Sequence, residues 1–235
     1  MKPTRHFCMA AALLGAFALS SCSGRFDARF DAGGGATLDA KVALPSLVGA
    51  KLRALSGLDA STPIFDPKAV SKALLVRKGV SSAAASCPTP DSLSLSAEIS
   101  DLGALLASPD LASFIQLDDK AGAKRMTIAL SRDHGQDILA LLPGIDPGLV
   151  EALSPPALGG GDYTKAEYRD ALQTILGTKA MPAFDAASID LSVSLPGAIV
   201  SSSGGRVEGS TWKATIPLLD LLVLEKPIVL TFSWR

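Results

Sequence analysis

The residues of this chain that could carry out covalent chemistry are few. His134 is one of two histidines and could act as a general base for a serine nucleophile elsewhere in the chain. No Gly-x-Ser-x-Gly elbow accompanies any serine, however. We therefore predict that His134 is a polar residue in the first turn of a helix capped by Asp133, and that the chain is not an enzyme.

Clustered carboxylates offer a second kind of chemistry, the binding of cations. Asp27, Asp31 and Asp39 fall on the polar faces of two alternating segments, and charge pairs across a solvated strand face account for them without a cation. The pair Asp118-Asp119 is typical of a turn, and the spacing of an EF-hand loop is absent. The two triple-glycine stretches match neither a dinucleotide fingerprint nor a P-loop. We therefore predict no metal site and no cofactor.

The clearest chemical signal lies at Cys22. Lys2 and Arg5 precede an apolar run over residues 7–19, which is shorter than the roughly 20 residues that a membrane-spanning helix needs. A basic start, a short apolar run and small residues after it are typical of an export signal. The segment Leu19-Ser20-Ser21-Cys22 matches a lipobox, so the amino terminus resembles that of bacterial lipoproteins. The resemblance implies cleavage after residue 21 and acylation of Cys22, and the alternative is a plain secretory signal.

Acylation of Cys22 would decide where the protein resides. Two or more acyl chains, such as palmitate, hold a protein stably on a bilayer without a membrane-spanning helix. The mature domain, residues 22–235, would then face the periplasm or the cell surface. Ser23 occupies the position where an aspartate retains many lipoproteins at the inner membrane, so it favours the outer membrane. The expected partner is therefore a lipid bilayer, with an apolar ligand or an envelope protein as a second partner.

Charge and cysteine content restrict the remaining partners and bonds. The chain has 22 Lys and Arg against 23 Asp and Glu, and the signal removes two bases, so the mature net charge of −3 argues against nucleic acid or an anionic surface as an electrostatic partner. Cys8 leaves with the signal and Cys22 carries the lipid, so Cys87 has no partner for an intrachain disulfide. Cys87 follows a serine- and alanine-rich segment typical of a loop, and we predict that its thiol is inert.

Alternation of apolar and polar residues predicts most of the strands. It runs through residues 26–32 and 38–44 on either side of Gly33-Gly34-Gly35, which predicts an amino-terminal hairpin. Each predicted strand has one apolar and one polar face, as in antiparallel sheets with a solvated side. The same period predicts later strands at residues 93–99, 126–130, 189–195, 212–216 and 228–234.

Capping residues predict the helices between these strands. Ser46 caps a helix whose Val48, Leu52 and Leu55 share one face. Three further helices begin with a cap followed by proline, at Asp66-Pro67, Ser108-Pro109 and Asp146-Pro147. The strongest signal is the capping box from Thr164 to Glu167, which opens a helix that runs to Gly177.

Strands and helices are partly segregated along the chain, so the predicted class is α+β. We expect a single domain with largely antiparallel sheets, an amino-terminal hairpin, a helical insertion over residues 132–178 and a carboxy-terminal run of strands. Residues 217–227 are nearly all apolar between two prolines. They form either a buried connection between the last two strands or a hydrophobic lip for an apolar ligand or partner. The leucines concerned are Leu218, Leu219, Leu221, Leu222 and Leu224.

The carboxy-terminal third resembles a known family. In residues 195–212, Pro196-Gly197 begins a strand, Ser203-Gly204-Gly205 reverses it, and Gly209 permits a turn before Thr211-Trp212. This succession is similar to that of the LppM-like lipoprotein domains. The resemblance implies an α+β envelope domain with a hydrophobic groove, and it assigns no enzymatic residues.

These patterns predict a membrane-anchored envelope lipoprotein that acts as a non-enzymatic binding or assembly module. The alternative is a carrier of lipid or another apolar ligand in a hydrophobic groove. A hydrolase that uses His134 is the remote alternative.

Overall fold

Two sheets form the framework of the molecule. The computed structural model describes residues 23–120, 122–140, 144, 146–159 and 161–235, so the predicted signal peptide and Cys22 lie outside it. In these ranges the strands are β1 (Ser23–Phe30), β2 (Ala36–Ala43), β3 (Val80–Ser86), β4 (Ser92–Ile99), β5 (Ile115–Lys120), β6 (Ala123–Leu130), β7 (Ser188–Ser194), β8 (Ile199–Ser203), β9 (Arg206–Glu208), β10 (Thr211–Pro217) and β11 (Ile228–Trp234).

Short helices connect the strands. They are α1 (Ser46–Leu55), α2 (Pro67–Leu75), α3 (Leu102–Leu106), α4 (Pro109–Ala112), α5 (Gly135–Ala140), α6 (Pro147–Leu153), α7 (Lys165–Leu176), α8 (Met181–Asp185) and α9 (Leu218–Val223), with 3-10 turns at Arg132–His134 and Pro156–Leu158. Among the described residues, no helix is long and apolar enough to cross a membrane. The mixture of helices with largely antiparallel sheets confirms the α+β class.

The predicted amino-terminal hairpin is confirmed and lies at the centre of the larger sheet. Ser23 pairs with Ala43 at one end of the hairpin, and Phe30 pairs with Ala36 at the other, beside the glycine turn. The larger sheet has the strand order β3-β4-β2-β1-β7-β10-β9. Its pairs are antiparallel except for β1 with β7, which are parallel.

The smaller sheet has the order β5-β6-β11-β8, and its pairs are antiparallel. The predicted reversal at Gly204-Gly205 connects two sheets, because β8 pairs with β11 whereas β9 pairs with β10 of the larger sheet. Gly205 passes so close to a buried indole that an added Cβ would lie 2.5 Å from Trp212 Nε1. The crossing therefore requires a residue without a side chain at this position.

Aromatic residues fill the space between the two sheets. Trp212 of β10 and Phe232 of β11 are both 0% exposed, and their rings stack with centroids 4.7 Å apart. Phe232 also contacts Trp234, whose ring in turn meets Phe30 of β1. Burial of one such side chain stabilises a fold by roughly 1.5–3 kcal/mol, so this cluster joins the sheets strongly.

A second hydrophobic cluster lies beside the end of the larger sheet at which β1 begins. Helix α7 starts with the predicted capping box, in which the Thr164 hydroxyl accepts from the Glu167 backbone, and the Glu167 carboxylate accepts from the Thr164 backbone. Residues of α7 at helical spacing then bury their side chains against Met181 of α8 and Val223 of α9. The buried residues of α7 are Tyr168, Leu172 and Leu176.

Three local predictions in the two sheets and in α1 were wrong. The serine- and alanine-rich segment before Cys87 is strand β3, because backbone pairing with β4 and packing of α2 compensate for its small side chains. Asp118-Asp119 belongs to β5 and not to a turn, since these residues pair with Arg125 and Lys124 across the sheet. Ser46 is the first residue of α1 and not its cap, and Pro45 precedes it with extended backbone.

Candidate functional site

A cleft with a partly apolar lining lies between the two sheets, at the end where the β1–β2 hairpin turns. We call it the hairpin cleft, and its volume is about 230 Å³. Phe30, Leu117 and Trp234 provide its apolar wall, and Leu102 of α3 closes one side. The rings of Phe30 and Trp234 lie 5.8 Å apart between centroids, at an angle of 56°.

Strand register places these residues together. Phe30 is the last residue of β1 and Trp234 the last of β11, so each strand ends with its apolar side toward the space between the sheets. Lys124 of β6 is opposite Trp234 on one side and opposite Asp119 of β5 on the other. The alternation of side chains along the strands therefore sets apolar residues inside the cleft and charged residues at its rim.

The rim of the hairpin cleft is mainly acidic. Among the described residues that line the cleft, it contains Asp31, Asp101 and Asp119 and one cation, Lys124. Asp31 accepts a hydrogen bond of 2.9 Å from the Gly35 backbone, and Asp101 accepts one of 2.9 Å from the first turn of α3. An apolar wall beneath an acidic rim fits an apolar group that has a positive charge beside it.

A second, more polar cleft of about 320 Å³ surrounds Arg132. The guanidinium donates to the Val223 carbonyl at 2.9 Å and to the Tyr163 carbonyl at 2.5 Å, and it also pairs with Asp162 at 3.3 Å. Glu225, on the same cleft, accepts from the Lys165 backbone at 2.9 Å. Arg132 thus connects the start of α7 with the end of α9.

His134 lies in a 3-10 turn directly before α5. Its Nδ1 is 3.3 Å from the hydroxyl of Ser131, and its ring lies beside Phe114 with centroids 6.1 Å apart. The predicted cap Asp133 was wrong, because Ser131 has the extended backbone of the capping position and Asp133 is already inside the turn. Within the described ranges, no hydrogen bond joins the imidazole to a carboxylate that would orient it as a general base.

Most leucines of residues 217–227 lie in helix α9 between β10 and β11, and Leu224 follows its last residue. Leu219 and Leu224 are 8% and 3% exposed and belong to the core. The half-buried leucines, Leu218, Leu221 and Leu222, also pack against the two hydrophobic clusters. The arrangement fits the interpretation as a connection between strands, and contact of these leucines with a ligand stays a prediction.

Cys87 lies just after β3 and is half-buried. Its Sγ is 3.5 Å from the Phe65 carbonyl, and burial followed by the charge of Asp66 raises the thiol pKa above its ordinary value. A thiol held protonated in this way is a poor nucleophile. Cys22, the predicted lipidation site, lies outside the described residues.

The predicted carboxylates of the hairpin are dispersed. Asp27 pairs with Arg25 on the solvated face of β1 and is opposite Asp39 of β2, whereas Asp31 contacts the glycine turn. In the part of the chain that the structure describes, no group of three or more His, Cys, Asp or Glu side chains could hold a metal ion.

No sequence pattern predicted the hairpin cleft. Phe30 and Trp234 were recognised only as apolar positions of alternating strands. The available signal was that Trp234 is the aromatic end of the predicted strand 228–234 and that Phe30 lies near the end of the predicted segment 26–32, just before the glycine turn. The alternation of apolar residues does not predict that these two strand ends meet, because the strands belong to different sheets.

No family model matches the chain, and no curated protein matches it. Among solved structures, the chain is similar to the NMR structure of the folded domain of LppM from Mycobacterium tuberculosis. The two share 10% identical residues with a TM-score of 0.45, and the match covers 92% of this chain and 90% of that chain. LppM is also the name of the family that residues 195–212 resemble. At this TM-score the likeness carries no conclusion about function.

Proposed function

We propose that the chain is an envelope lipoprotein, attached to a membrane through an acylated Cys22, whose domain binds a partner protein without catalysing a reaction. The lipobox supports the anchor. The observation that carries the binding role is the hairpin cleft, in which Phe30 and Trp234 line an opening with an acidic rim.

The volume of the hairpin cleft favours a side chain as its occupant. Sites for drug-sized molecules have volumes of roughly 300–1,000 Å³, and the 230 Å³ of this cleft is smaller. One large apolar side chain in a pocket is the usual centre of a protein interface. Basic residues beside that side chain would complement Asp31, Asp101 and Asp119.

The position of the cleft suits a membrane-anchored protein. Strand β1 begins at Ser23, next to the proposed anchor, and ends at Phe30 in the cleft wall. Seven steps along an extended strand cover about 23 Å. A partner could therefore reach the cleft while the other end of the domain stays at the membrane.

Site-specific photo-crosslinking in cells tests the binding role. A photoreactive amino acid at Asp119, on the rim, should give an adduct of discrete mass with one partner. The control position is Val200 of β8, which is 45% exposed on the smaller sheet and should give none. Reversal of the rim charge by Asp31→Lys should remove the adduct at position 119. No adduct, or the same adducts at both positions, would contradict the proposal.

The carrier alternative is separated from this proposal by native mass spectrometry of the purified protein. A discrete additional mass that disappears under denaturing conditions would indicate a bound apolar ligand. Loss of that mass in Leu221→Asp would then place the ligand at α9. A bare protein mass supports the partner-binding role.

A further inference from the structure

We infer that the outer face of helix α1 lies on the membrane surface, so that the domain rests directly on the lipid headgroups. The inference rests on the acylation of Cys22, which is part of the proposed function. It adds a second, non-covalent contact with the bilayer and an orientation for the domain.

The covalent chain leaves no tether between the anchor and the domain. Strand β1 begins at Ser23, the residue directly after Cys22, and consecutive Cα atoms are only about 3.8 Å apart. Ser23 is already paired, with Ala43 of β2 on one side and Ser188 of β7 on the other. A sheet that starts one residue after the lipid must have this end at the headgroups.

Helix α1 starts close to the same point. Its first residue, Ser46, follows Ala43 by three positions, a stretch that spans at most about 11 Å. Ala43 itself is the partner of Ser23, and antiparallel partners have Cα atoms about 4.5–5.5 Å apart. The beginning of α1 therefore lies within about 16 Å of Ser23 by these same chain dimensions.

Both faces of α1 are apolar, although only one is buried. The inner face packs Val48 and Leu52 into the second hydrophobic cluster. On the outer face, Leu47 and Leu55 are 43% and 46% exposed. Residues four apart lie along one line of a helix, so the outer face consists of Leu47, Ala50, Lys51, Ala54 and Leu55, all of them exposed.

The net charge of the whole chain is negative and argues against an anionic surface, but the segment around α1 is locally basic and fits one. Residues 44–58 contain two basic residues, Lys51 and Arg53, and no acidic residue. Arg53 is buried and paired with Asp91, which leaves Lys51 as the outward charge of the helix. A lysine between two leucines can extend its ammonium group to lipid phosphates while its methylene groups stay with the apolar face. Helices that lie in the membrane interface combine these features.

Depth-dependent quenching tests this contact in the full acylated protein. The protein is reconstituted into vesicles of phosphatidylethanolamine and phosphatidylglycerol that include lipids with a nitroxide on the headgroup. A fluorophore is attached at Leu47→Cys or at Leu55→Cys, in a Cys87→Ala background that leaves one thiol to label. Val76→Cys is the matched control, because Val76 is an exposed apolar residue (76%) at the end of α2.

The control position lies at the opposite end of the larger sheet. Helix α2 ends shortly before Val80, which pairs with Ile99, and Ile99 pairs with Ala36 beside the hairpin turn. We expect a loss of fluorescence at positions 47 and 55 and no loss at position 76.

The outcomes separate this contact from the anchor. If the mass of the protein includes the diacylglycerol but the three positions are quenched equally, the anchor stands and the α1 contact is overturned. If a second copy of the chain covers positions 47 and 55, the lipid nitroxide does not quench them. That result would also overturn the α1 contact. A mass without diacylglycerol would overturn the anchor and the contact together.

Discussion

Replacement of Arg53 by methionine should destabilise the domain, because it leaves a buried carboxylate without its counter-ion. The Arg53 guanidinium, on the inner face of α1, forms an ion pair with Asp91 just before β4. The two side chains are 8% and 18% exposed. Gly49, one turn earlier in α1, provides the space for the carboxylate, since a Cβ there would overlap Asp91 Oδ1.

The expected loss follows from the burial of this pair. Removal of one partner of a buried ion pair lowers the free energy of unfolding by about 3–5 kcal/mol. Because Asp91 is partly exposed, we expect a loss of about 3 kcal/mol. The matched control is Arg25→Met, which breaks an ion pair with Asp27 in which the arginine side chain is 68% exposed. Water screens an exposed pair, so the control should change stability little.

Urea denaturation followed by tryptophan fluorescence measures both losses. Trp212 and Trp234 are 0% and 4% exposed in the folded protein, so unfolding transfers both indoles to water. The double variant Arg53→Met with Asp91→Leu should recover most of the stability, because two apolar side chains can replace a buried pair at little cost.

A loss in Arg53→Met no larger than in the Arg25→Met control would refute this reasoning. A double variant as unstable as the single one would show that the packing of α1, and not the unpaired charge, is responsible.

Three further perturbations have outcomes that follow from local contacts. Gly205→Ala should lower the free energy of unfolding by about 1–3 kcal/mol, because its Cβ would overlap a fully buried indole. Thermal unfolding measures this loss, and the control is Gly103→Ala in α3, where an added Cβ meets only an ordinary contact at 3.4 Å. Cys87 should react slowly with iodoacetamide at neutral pH and faster as pH rises, because its raised pKa keeps the thiol protonated; equal rates in buffer and in urea would contradict this. Hydrogen bonds from Thr164 lower the pKa of Glu167, so its contribution is present above the ordinary carboxyl pKa and is lost as pH falls through the lowered value. A stability profile in acid that is unchanged by Glu167→Gln would be inconsistent with that role.

Much of the fold could be predicted from the sequence, because the signals were local. Alternating residues around Gly33-Gly34-Gly35 predicted the β1–β2 hairpin, and period-two segments predicted β4, β6, β7, β10 and β11. Thr164 and Glu167 predicted the start of α7, since a capping box involves only residues within one helical turn. Strand β3 was missed because its serines and alanines have no apolar alternation.

The candidate site was less predictable than the fold. Lipidation of Cys22 stays a prediction, made from a linear segment that lies outside the described residues. The hairpin cleft was not predicted, because Phe30 and Trp234 are far apart in sequence and belong to different sheets. Their meeting depends on how the sheets pack, which is a property of the whole core.

The sequence by itself determined the α+β class and the elements whose cap or alternation is complete within a few residues, and it predicts an export signal with a lipobox. Only the tertiary structure decided which strands are neighbours, that the chain changes sheets at Gly204-Gly205, and that α1 has one apolar face left uncovered. The physical reason is the range of the interactions. Caps, turns and alternation act between residues close in sequence, whereas sheet order and the exposure of a face depend on contacts between distant segments.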